Sequence, residues 1–363
     1  MMTVYVPDVG DGLAAGIRTL EGSRVQIDCG SQNQAEAALE KGLHRIDPSA
    51  FFLSHFHADH YNGLLQRNRR RPRSWPTIRQ AFYPRIPEFR QRETFLLYML
   101  AMDHWVMGDT SGSMAADFLS VLSRMNHTSF TYRSLSIGDT VSIGGSQYDI
   151  LWPPKIVGDE ATLKVIATAI TDFNVAAEED ETLRRILETI GEKGEVRQYL
   201  THEREMGELP GRGEHLHDED ERPYSNERRD FPEPVRRANE SLRTAANHLS
   251  LAFHEDNKFL FLGDLEGDEI KHVARALADK HRDQFFVTIT PHHGTHWHRD
   301  LSHIHTCCSI SSVGAGLFRH LSLKFKSISD ICFITHLNGD VEIPVFFPPW
   351  YGPKRWVYWR TFL

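Results

Sequence analysis

The chain contains the sequence Phe51-Phe52-Leu53-Ser54-His55-Phe56-His57-Ala58-Asp59-His60. Its first half is a short, mostly apolar run, which predicts a buried strand. Three histidines and one aspartate follow within six residues, on the turn that leaves the strand. Neutral imidazole and carboxylate are good ligands for borderline divalent metals, and these four groups can converge on one point or on two neighbouring points. Because the turn directly follows a strand, we prefer a metal site to a polar loop that happens to be rich in histidine.

Polar side chains also follow two apolar runs in the second half of the chain. Gly263-Asp264 follows the run at 259–262, and His292-His293-Gly294 follows the run at 285–289. Aspartate is disfavoured in strands, so we predict that Asp264 is an oxygen ligand that could bridge two metals, in preference to a helix N-cap. At the other run, His293 is the preferred ligand and His292 is the alternative.

Two further histidines are candidates for the site. His248 precedes the apolar run at 249–253 and could complete the His55–His57 site as a third nitrogen ligand. The alternative is a ring at the start of a strand that faces solvent. Several histidines follow Gly294, and one of them could position substrate or protonate a leaving group. We take His296 for that role and name Asp59 and His296 as the candidate catalytic residues.

The composition is that of a soluble globular protein. The 363 residues are 40% hydrophobic and 25% charged, with a net charge of −8. These values exclude a disordered tail protein, a collagen and a disulfide miniprotein, and they argue against a protein that coats nucleic acid by bulk charge. The four cysteines fit no disulfide framework, the start lacks the pattern of a signal peptide, and the longest apolar run is eight residues. We therefore expect reduced thiols, no membrane partner and a cytoplasmic location.

The composition also suggests how the chain is divided. Residues 1–157 and 246–363 read as the two halves of one domain, because each contains strands followed by polar ligands. Residues 158–245 are rich in charge and have little periodicity after 211. We interpret them as an insertion, partly helical and partly flexible, that caps or gates the site or binds a partner protein.

Several motifs occur in an order that is similar to one known family. The segment at 55–60 resembles the HxHxDH signature of the metallo-β-lactamase fold. The other motifs resemble those of the group typified by the hydrolase domain of ComEC, the competence DNA-uptake channel. They are Asp8-Val9-Gly10-Asp11-Gly12, Ile27-Asp28-Cys29-Gly30, Gly138-Asp139, Asn247-His248-Leu249-Ser250-Leu251, Gly263-Asp264-Leu265-Glu266 and Pro291-His292-His293-Gly294.

The resemblance implies a fold and a set of ligands. The fold is an α/β protein with an αβ/βα four-layer sandwich, in which two sheets lie face to face, helices lie outside and metals sit at one rim of the sheets. It implies two divalent metal ions, for which zinc is our first choice and manganese an alternative. The implied ligands are His55 and His57 on one metal, Asp59 and His60 on the other, Asp264 between them, and His293 or His292 on the second.

A centre of this kind predicts hydrolysis by a metal-bound hydroxide. A basic run after the metal turn could bind a phosphodiester backbone, or it could be a solvated loop. We therefore predict a phosphodiesterase or nuclease that acts on nucleic acid. The alternatives are a carbonyl hydrolase of the lactonase or thioesterase type on the same metals, and a partner-regulated effector subunit of a larger complex that docks through 158–245. The candidate substrate-binding residues are Arg67, Arg69, Arg70, Arg71 and Arg73.

Overall fold

The computed structural model describes residues 1–65, 76–107, 115–194, 196, 206–212 and 231–345. Within these residues, the strands form two sheets. The first sheet contains β1 (Met2–Val6), β2 (Gly12–Arg18), β3 (Arg24–Ser31), β4 (Ala50–Phe52), β5 (Gln80–Pro84), β6 (Phe130–Leu135), β9 (Gly207–Leu209) and β15 (Val341–Val345). The second contains β7 (Thr140–Ile143), β8 (Ser146–Trp152), β10 (Ala252–Glu255), β11 (Phe259–Phe261), β12 (Gln284–Ile289), β13 (His305–Ser311) and β14 (Ser329–Ile334). The strand orders are β15-β1-β2-β3-β4-β5-β6-β9 and β14-β13-β12-β11-β10-β8-β7.

The helices of the described residues cover the outer faces of these sheets. The short ones are α1 (Ala35–Ala37), α2 (Ala58–Tyr61), α9 (Ala315–Phe318) and α10 (Thr335–Asn338). Helix α1 continues as a π-helix over Ala38–His44. Short 3₁₀-helices lie at Asn62–Leu65, Pro291–Gly294, Arg299–His303 and Leu323–Ser327. The longer helices are α3 (Arg92–Met107), α4 (Ala115–Met125), α5 (Glu160–Glu179), α6 (Glu181–Lys193), α7 (Glu233–Asn247) and α8 (Gly267–Asp279).

The strand β4 shows how the layers are held together. Successive side chains of a strand point to opposite faces of the sheet. Phe52 points inward, where its ring centroid lies 4.8 Å from that of Phe82 and 5.0 Å from that of Phe253 in the opposite sheet. Phe51 points outward and lies 5.2 Å from Phe118 of α4. Two sheets packed face to face with helices outside confirm the predicted four-layer sandwich.

The parallel strands of the two sheets determine where the site forms. Strands β3, β4, β5 and β6 run parallel in the first sheet, and β11, β12, β13 and β14 run parallel in the second. Side chains that follow the carboxyl ends of parallel strands lie at one edge of a sheet. The three predicted ligand segments leave β4, β11 and β12.

The stretch 158–245 is joined to the domain more closely than its charged composition suggested. On α5, Ile166, Ala169, Ile170 and Phe173 recur at helical spacing and are buried in the same core as Phe51. Strand β9 pairs antiparallel with β6, at the edge of the first sheet. Helix α7 runs across the boundary that we predicted at 245. The part that we predicted to be flexible falls largely at 213–230, outside the described residues.

Within the described residues, no helix is both long enough and apolar enough to cross a membrane.

Candidate metal centre

A single carboxylate oxygen lies between histidines that come from both sheets. The Oδ2 atom of Asp264 is 4.0 Å from Nε2 of His55, 3.6 Å from Nε2 of His60 and 3.5 Å from Nε2 of His293. All four side chains are buried. His55 and His60 follow β4 of the first sheet, whereas Asp264 and His293 follow β11 and β12 of the second. The fold thus brings together residues that are more than two hundred positions apart in the sequence.

The donor atoms form two overlapping groups. In one group, ligand atoms of His55, His60 and Asp264 all lie within 4.8 Å of one another. In the other, Asp59, His60 and His293 satisfy the same condition. His57 adjoins the first group, because its Nδ1 lies 2.8 Å from Nε2 of His55. In each group, the ligand atoms are close enough together to bind one metal ion.

Two buried nitrogens test whether this cluster fits a metal. Nε2 of His57 and Nε2 of His60 are buried and have no hydrogen-bond partner. An unpaired polar group in a protein interior is costly, so such groups usually mark an ion, a water or a catalytic role. Imidazole nitrogens beside carboxylates are the donor set of hydrolytic zinc and manganese sites. The residues present therefore fit a pair of divalent cations.

The protonation of the histidines supports this assignment for two of the rings. Burial lowers the pKa of His55 well below its usual value, and the neighbouring His60 and His57 act in the same direction. Burial also lowers the pKa of His57 to about 3. Both rings are therefore neutral at physiological pH, which is the state that binds a metal.

The pKa of His60 behaves differently. Burial acts to lower it, but the carboxylates of Asp264 and Asp28 outweigh burial and hold the pKa well above its usual value. A cation at His60 would therefore displace a proton from the ring. For Asp264, burial acts to raise the pKa, but the imidazoles of His293 and His60 lower it well below its usual value. The carboxylate is thus ionised and available as an oxygen ligand.

A buried network orients the ring of His60. The carboxylate of Asp28 accepts hydrogen bonds from the backbone N–H of Ser54 (2.7 Å) and from its hydroxyl (2.6 Å). Oδ2 of Asp28 also lies 2.7 Å from Nδ1 of His60. Because Nδ1 is engaged by the carboxylate, Nε2 faces Asp264. In the sequence, Asp28 is only one member of the motif at 27–30, so its part in the site is a finding of the structure.

The turn at residues 8–12 helps to orient the ring of His293 through Ser312. Nδ1 of His293 donates to the carbonyl oxygen of Ser312 (2.9 Å), and the hydroxyl of Ser312 donates to the carbonyl oxygen of Gly12 (2.8 Å). The carboxylate of Asp11 accepts backbone N–H groups of Gly314 (2.9 Å), Gly316 (3.1 Å) and Leu317 (3.0 Å). The motif at 8–12 therefore helps to fix the direction in which Nε2 of His293 points.

The two adjacent histidines occupy different places. His293 is buried and belongs to the group with Asp59 and His60. His292 is partly exposed, and its Nε2 lies 4.0 Å from Oδ2 of Asp264. Its Nδ1 lies 2.9 Å from Oε1 of Glu266, and its ring stacks on that of His296 at 4.2 Å. The arrangement favours His293 as the ligand, and it assembles Glu266, His292 and His296 as a third group at the rim.

His248 lies outside these groups. Its Nδ1 is 2.5 Å from Oε1 of Glu269, and its carbonyl oxygen accepts the indole N–H of Trp152 (2.7 Å). Glu269 also accepts the hydroxyl of Thr162 (2.9 Å). Among the described residues, His248 belongs to none of the three groups, and its Nδ1 is engaged by a carboxylate of α8, so a third nitrogen ligand at His248 stays a prediction. The five predicted arginines between 67 and 73 lie outside the described residues.

Asp59 has two partners that the sequence did not reveal. Its Oδ2 accepts a hydrogen bond from Nε2 of Gln32 (3.0 Å) and from Nη2 of Arg243 (3.3 Å). Burial acts to raise the pKa of Asp59, but the Arg243 guanidinium and the imidazoles of His60 and His57 hold it below its usual value. Gln32 follows β3, and Arg243 belongs to α7. No local pattern marks either residue, since each reaches Asp59 only through the fold.

Comparison with known proteins agrees with the fold. A sequence profile described as the metallo-beta-lactamase superfamily matches residues 17–71, which include the ligand segment at 55–60. Comparison with curated proteins gives no match. The match covers a small part of the chain, and the likeness to ComEC remains a resemblance of motifs.

The solved structures that match share little sequence with this protein, and their TM-scores are below 0.5. The metallo-beta-lactamase fold protein YhfI from Bacillus subtilis has 14% identity and a TM-score of 0.24, with 41% of this chain and 53% of YhfI covered. A diphosphatase from the PhnP family has 10% identity and a TM-score of 0.39, with 96% and 99% covered. A long form RNase Z from yeast has 10% identity and a TM-score of 0.33, with 80% and 32% covered. This chain thus spans about half the length of YhfI, and similarity at this level carries no information on substrate.

Proposed function

We propose that this metallo-β-lactamase-fold chain is a metal-dependent hydrolase that cleaves phosphodiester bonds, with nucleic acid as the first candidate substrate. The observation that carries the proposal is the position of Asp264, whose Oδ2 lies within 4.0 Å of imidazole nitrogens from both sheets. A carboxylate in that position can serve two cations at once, which is the arrangement used in two-metal phosphoesterases.

The ligand groups suggest how two cations would be held. His55 and His57 would hold one, and Asp59, His60 and His293 would hold the other, with Asp264 shared between them. Zinc is our first choice for the metal and manganese the alternative, since imidazole and carboxylate accept both. When bound, such a pair lowers the pKa of a water molecule towards ~7 and offsets the negative charge that develops on the phosphoryl group.

The residues of the chain would position the reacting groups. Asp59 is kept ionised by Arg243 and the histidines, and its Oδ2 is held by Gln32. The stacked pair of His292 and His296 lies beside the carboxylate of Glu266, with Nε2 of His296 3.7 Å from Oε2. We propose that this third group supplies the proton that the leaving group requires, with the more exposed ring of His296 on the substrate side.

The pKa values of the two rings are shifted in opposite directions. Burial and His292 lower the pKa of His296, whereas for His292 the carboxylates of Asp264 and Glu266 outweigh burial and raise the pKa. The directions favour a protonated His292, whose Nδ1 lies 2.9 Å from Oε1 of Glu266, and a neutral His296. A protonated imidazole beside a carboxylate at the rim of the centre suits general acid catalysis near neutral pH.

An activity screen with metal-loaded protein tests the proposal. The substrates are bis-(p-nitrophenyl) phosphate, single- and double-stranded DNA, RNA, and a lactone with a thioester for the carbonyl alternative. We expect turnover of the phosphodiesters, its loss in Asp264→Ala, and its retention in Asp268→Ala, which removes an exposed carboxylate four residues away. Turnover of the lactone or thioester without any phosphodiester turnover would refute the proposal.

A further inference from the structure

Helix α7 spans the candidate centre and contacts both of its halves. Arg243 and Asn247 are one turn apart, so they lie on the same face of the helix. Nη2 of Arg243 lies 3.3 Å from Oδ2 of Asp59, which belongs to the first ligand segment. Nδ2 of Asn247 donates to Oε1 of Glu266 (3.1 Å), in the third group. The last turn of α7 therefore forms one wall of the centre.

This wall is rigid. Asp172 of α5 binds α7 twice, since Oδ1 lies 3.1 Å from Nε of Arg237 and Oδ2 accepts the hydroxyl of Ser241 (2.6 Å). Leu242 precedes Arg243 directly and Ala246 follows one turn later, and both are buried in the same core as Phe51. A side chain held on such an element keeps its direction, which is what the recognition of a substrate requires.

The guanidinium of Arg243 has more N–H donors than its contact with Asp59 uses. Arginine carries five N–H donors, and among the described residues the oxygen that Arg243 reaches is Oδ2 of Asp59. The side chain of Arg243 is 43% exposed, whereas that of Asp59 is 8% exposed. The carboxylate is thus enclosed within the centre, while much of the guanidinium faces the solvent from which a substrate would arrive.

We infer that Arg243 binds the non-bridging oxygens of the substrate phosphoryl group and thereby selects anionic phosphate esters over neutral carbonyl esters. The inference rests on the proposed function and names a residue that sets its substrate class. A guanidinium matches two phosphoryl oxygens with two parallel N–H donors. A lactone or a neutral thioester offers no negative charge in its ground state, so it gains little from this residue.

The test compares Arg243→Ala and Arg243→Lys with wild-type protein, all loaded with zinc or manganese. The control is Arg236→Ala, which removes an exposed arginine two turns earlier on the same helix, paired with Glu233 and Glu240. Three quantities are measured for each protein. They are the bound metal per chain, the affinity for inorganic phosphate by calorimetry, and the kcat and KM for bis-(p-nitrophenyl) phosphate and for a neutral p-nitrophenyl ester.

We expect Arg243→Ala to weaken phosphate binding and to lower kcat/KM for the diester by about 10- to 100-fold, chiefly through KM. Bound metal should stay close to that of wild type, because the imidazoles of His60 and His57 still lower the pKa of Asp59, and any turnover of a neutral ester should fall much less than that of the diester. Arg243→Lys should recover only part of the loss, because lysine keeps the charge without the paired donors. Loss of metal, or an equal loss for anionic and neutral substrates, would overturn the inference, since Arg243 would then only hold Asp59 in place.

The failure of the proposed function gives a different result. If wild-type protein turns over no phosphodiester, the proposed function is wrong whatever Arg243 does. Phosphate affinity still decides the role of the residue in that case, because it is measured without turnover. Unchanged phosphate affinity in Arg243→Ala would show that the guanidinium does not bind phosphoryl oxygens, and it would overturn the inference independently.

Discussion

Nδ1 of His60 lies 2.7 Å from Oδ2 of Asp28, and both side chains are 0% exposed. This contact joins β3 to α2, and it sets the direction of the ring that both ligand groups share. Partners of this kind orient a metal ligand and increase its basicity. We therefore expect the binding of metal to depend on a carboxylate that belongs to neither ligand group.

Replacing Asp28 by asparagine should weaken metal binding. The substitution keeps the size of the side chain but removes the charge that holds Nδ1 of His60. We expect the affinity for zinc to fall by about 10- to 100-fold, as measured by competition with a chromophoric chelator. The control is Asp149→Asn, a partly exposed carboxylate on β8. An unchanged affinity in Asp28→Asn would mean that the ring is oriented by the backbone alone.

Replacing Asp11 by alanine should disturb both stability and the second metal. Three backbone N–H groups lose a charged acceptor, and each such bond contributes on the order of 1 kcal/mol or more. We expect the free energy of unfolding to fall by about 2 kcal/mol or more in denaturant titrations, and the weaker-bound metal to be lost first on dialysis. Asp8→Ala, in the same turn, serves as the control. If Asp11→Ala binds both metals as wild type does, the contacts that lead from Asp11 through Ser312 to His293 are not needed for metal binding.

Replacing Glu266 by glutamine tests the origin of the leaving-group proton. We expect kcat to fall by about 100-fold for a phosphodiester with a poor leaving group, such as a dinucleotide. The fall should be much smaller for bis-(p-nitrophenyl) phosphate, because p-nitrophenolate leaves without protonation. Steady-state kinetics on the two substrates give the answer, and each substrate is the control for the other. Equal losses on both would assign Glu266 to metal or substrate binding instead.

His254 should make the fold sensitive to acid. Burial lowers the pKa of this ring from 6.5 to about 4. As pH falls below about 6.5, the unfolded chain takes up a proton that the folded protein resists, so stability is complete above that pH and declines towards pH 4. The shift corresponds to a loss on the order of 3 kcal/mol.

The measurement is the free energy of unfolding of metal-free protein at several pH values. We expect the curve of His254→Gln to be flatter than that of wild type between pH 6.5 and 4. Parallel curves would show that His254 is not the source of the acid sensitivity. Metal-free protein is used because acid also strips ligands from the metal centre, which would otherwise mask the effect.

The ligand segments could be predicted from the sequence because their chemistry is local. A polar group directly after a buried strand is visible at 55–60, at Asp264 and at His293 without any knowledge of the fold. The four-layer architecture followed from the resemblance of the motifs, and the fold confirms it. The choice between His292 and His293 needed the structure, because adjacent residues on one turn face different ways.

The supporting residues could not be predicted in this way. Arg243 is 184 positions from Asp59. It lies in a stretch with so many charged residues that the apolar face of α7 is not evident from the composition. On α7, Leu242 and Ala246 are buried while Arg236 and Glu240 are exposed, so composition alone indicated a solvated insertion. The contact of His248 with Glu269 of α8 could not be predicted for the same reason, since no local pattern indicates it.

The most direct test is anomalous X-ray diffraction from crystals of the zinc- or manganese-loaded protein. We expect two metal peaks ~3.5–4 Å apart, with the carboxylate of Asp264 between them, one near Nε2 of His57 and the other near His60 and His293. A single ion, no ion, or a pair that leaves Asp264 uncoordinated would contradict this expectation.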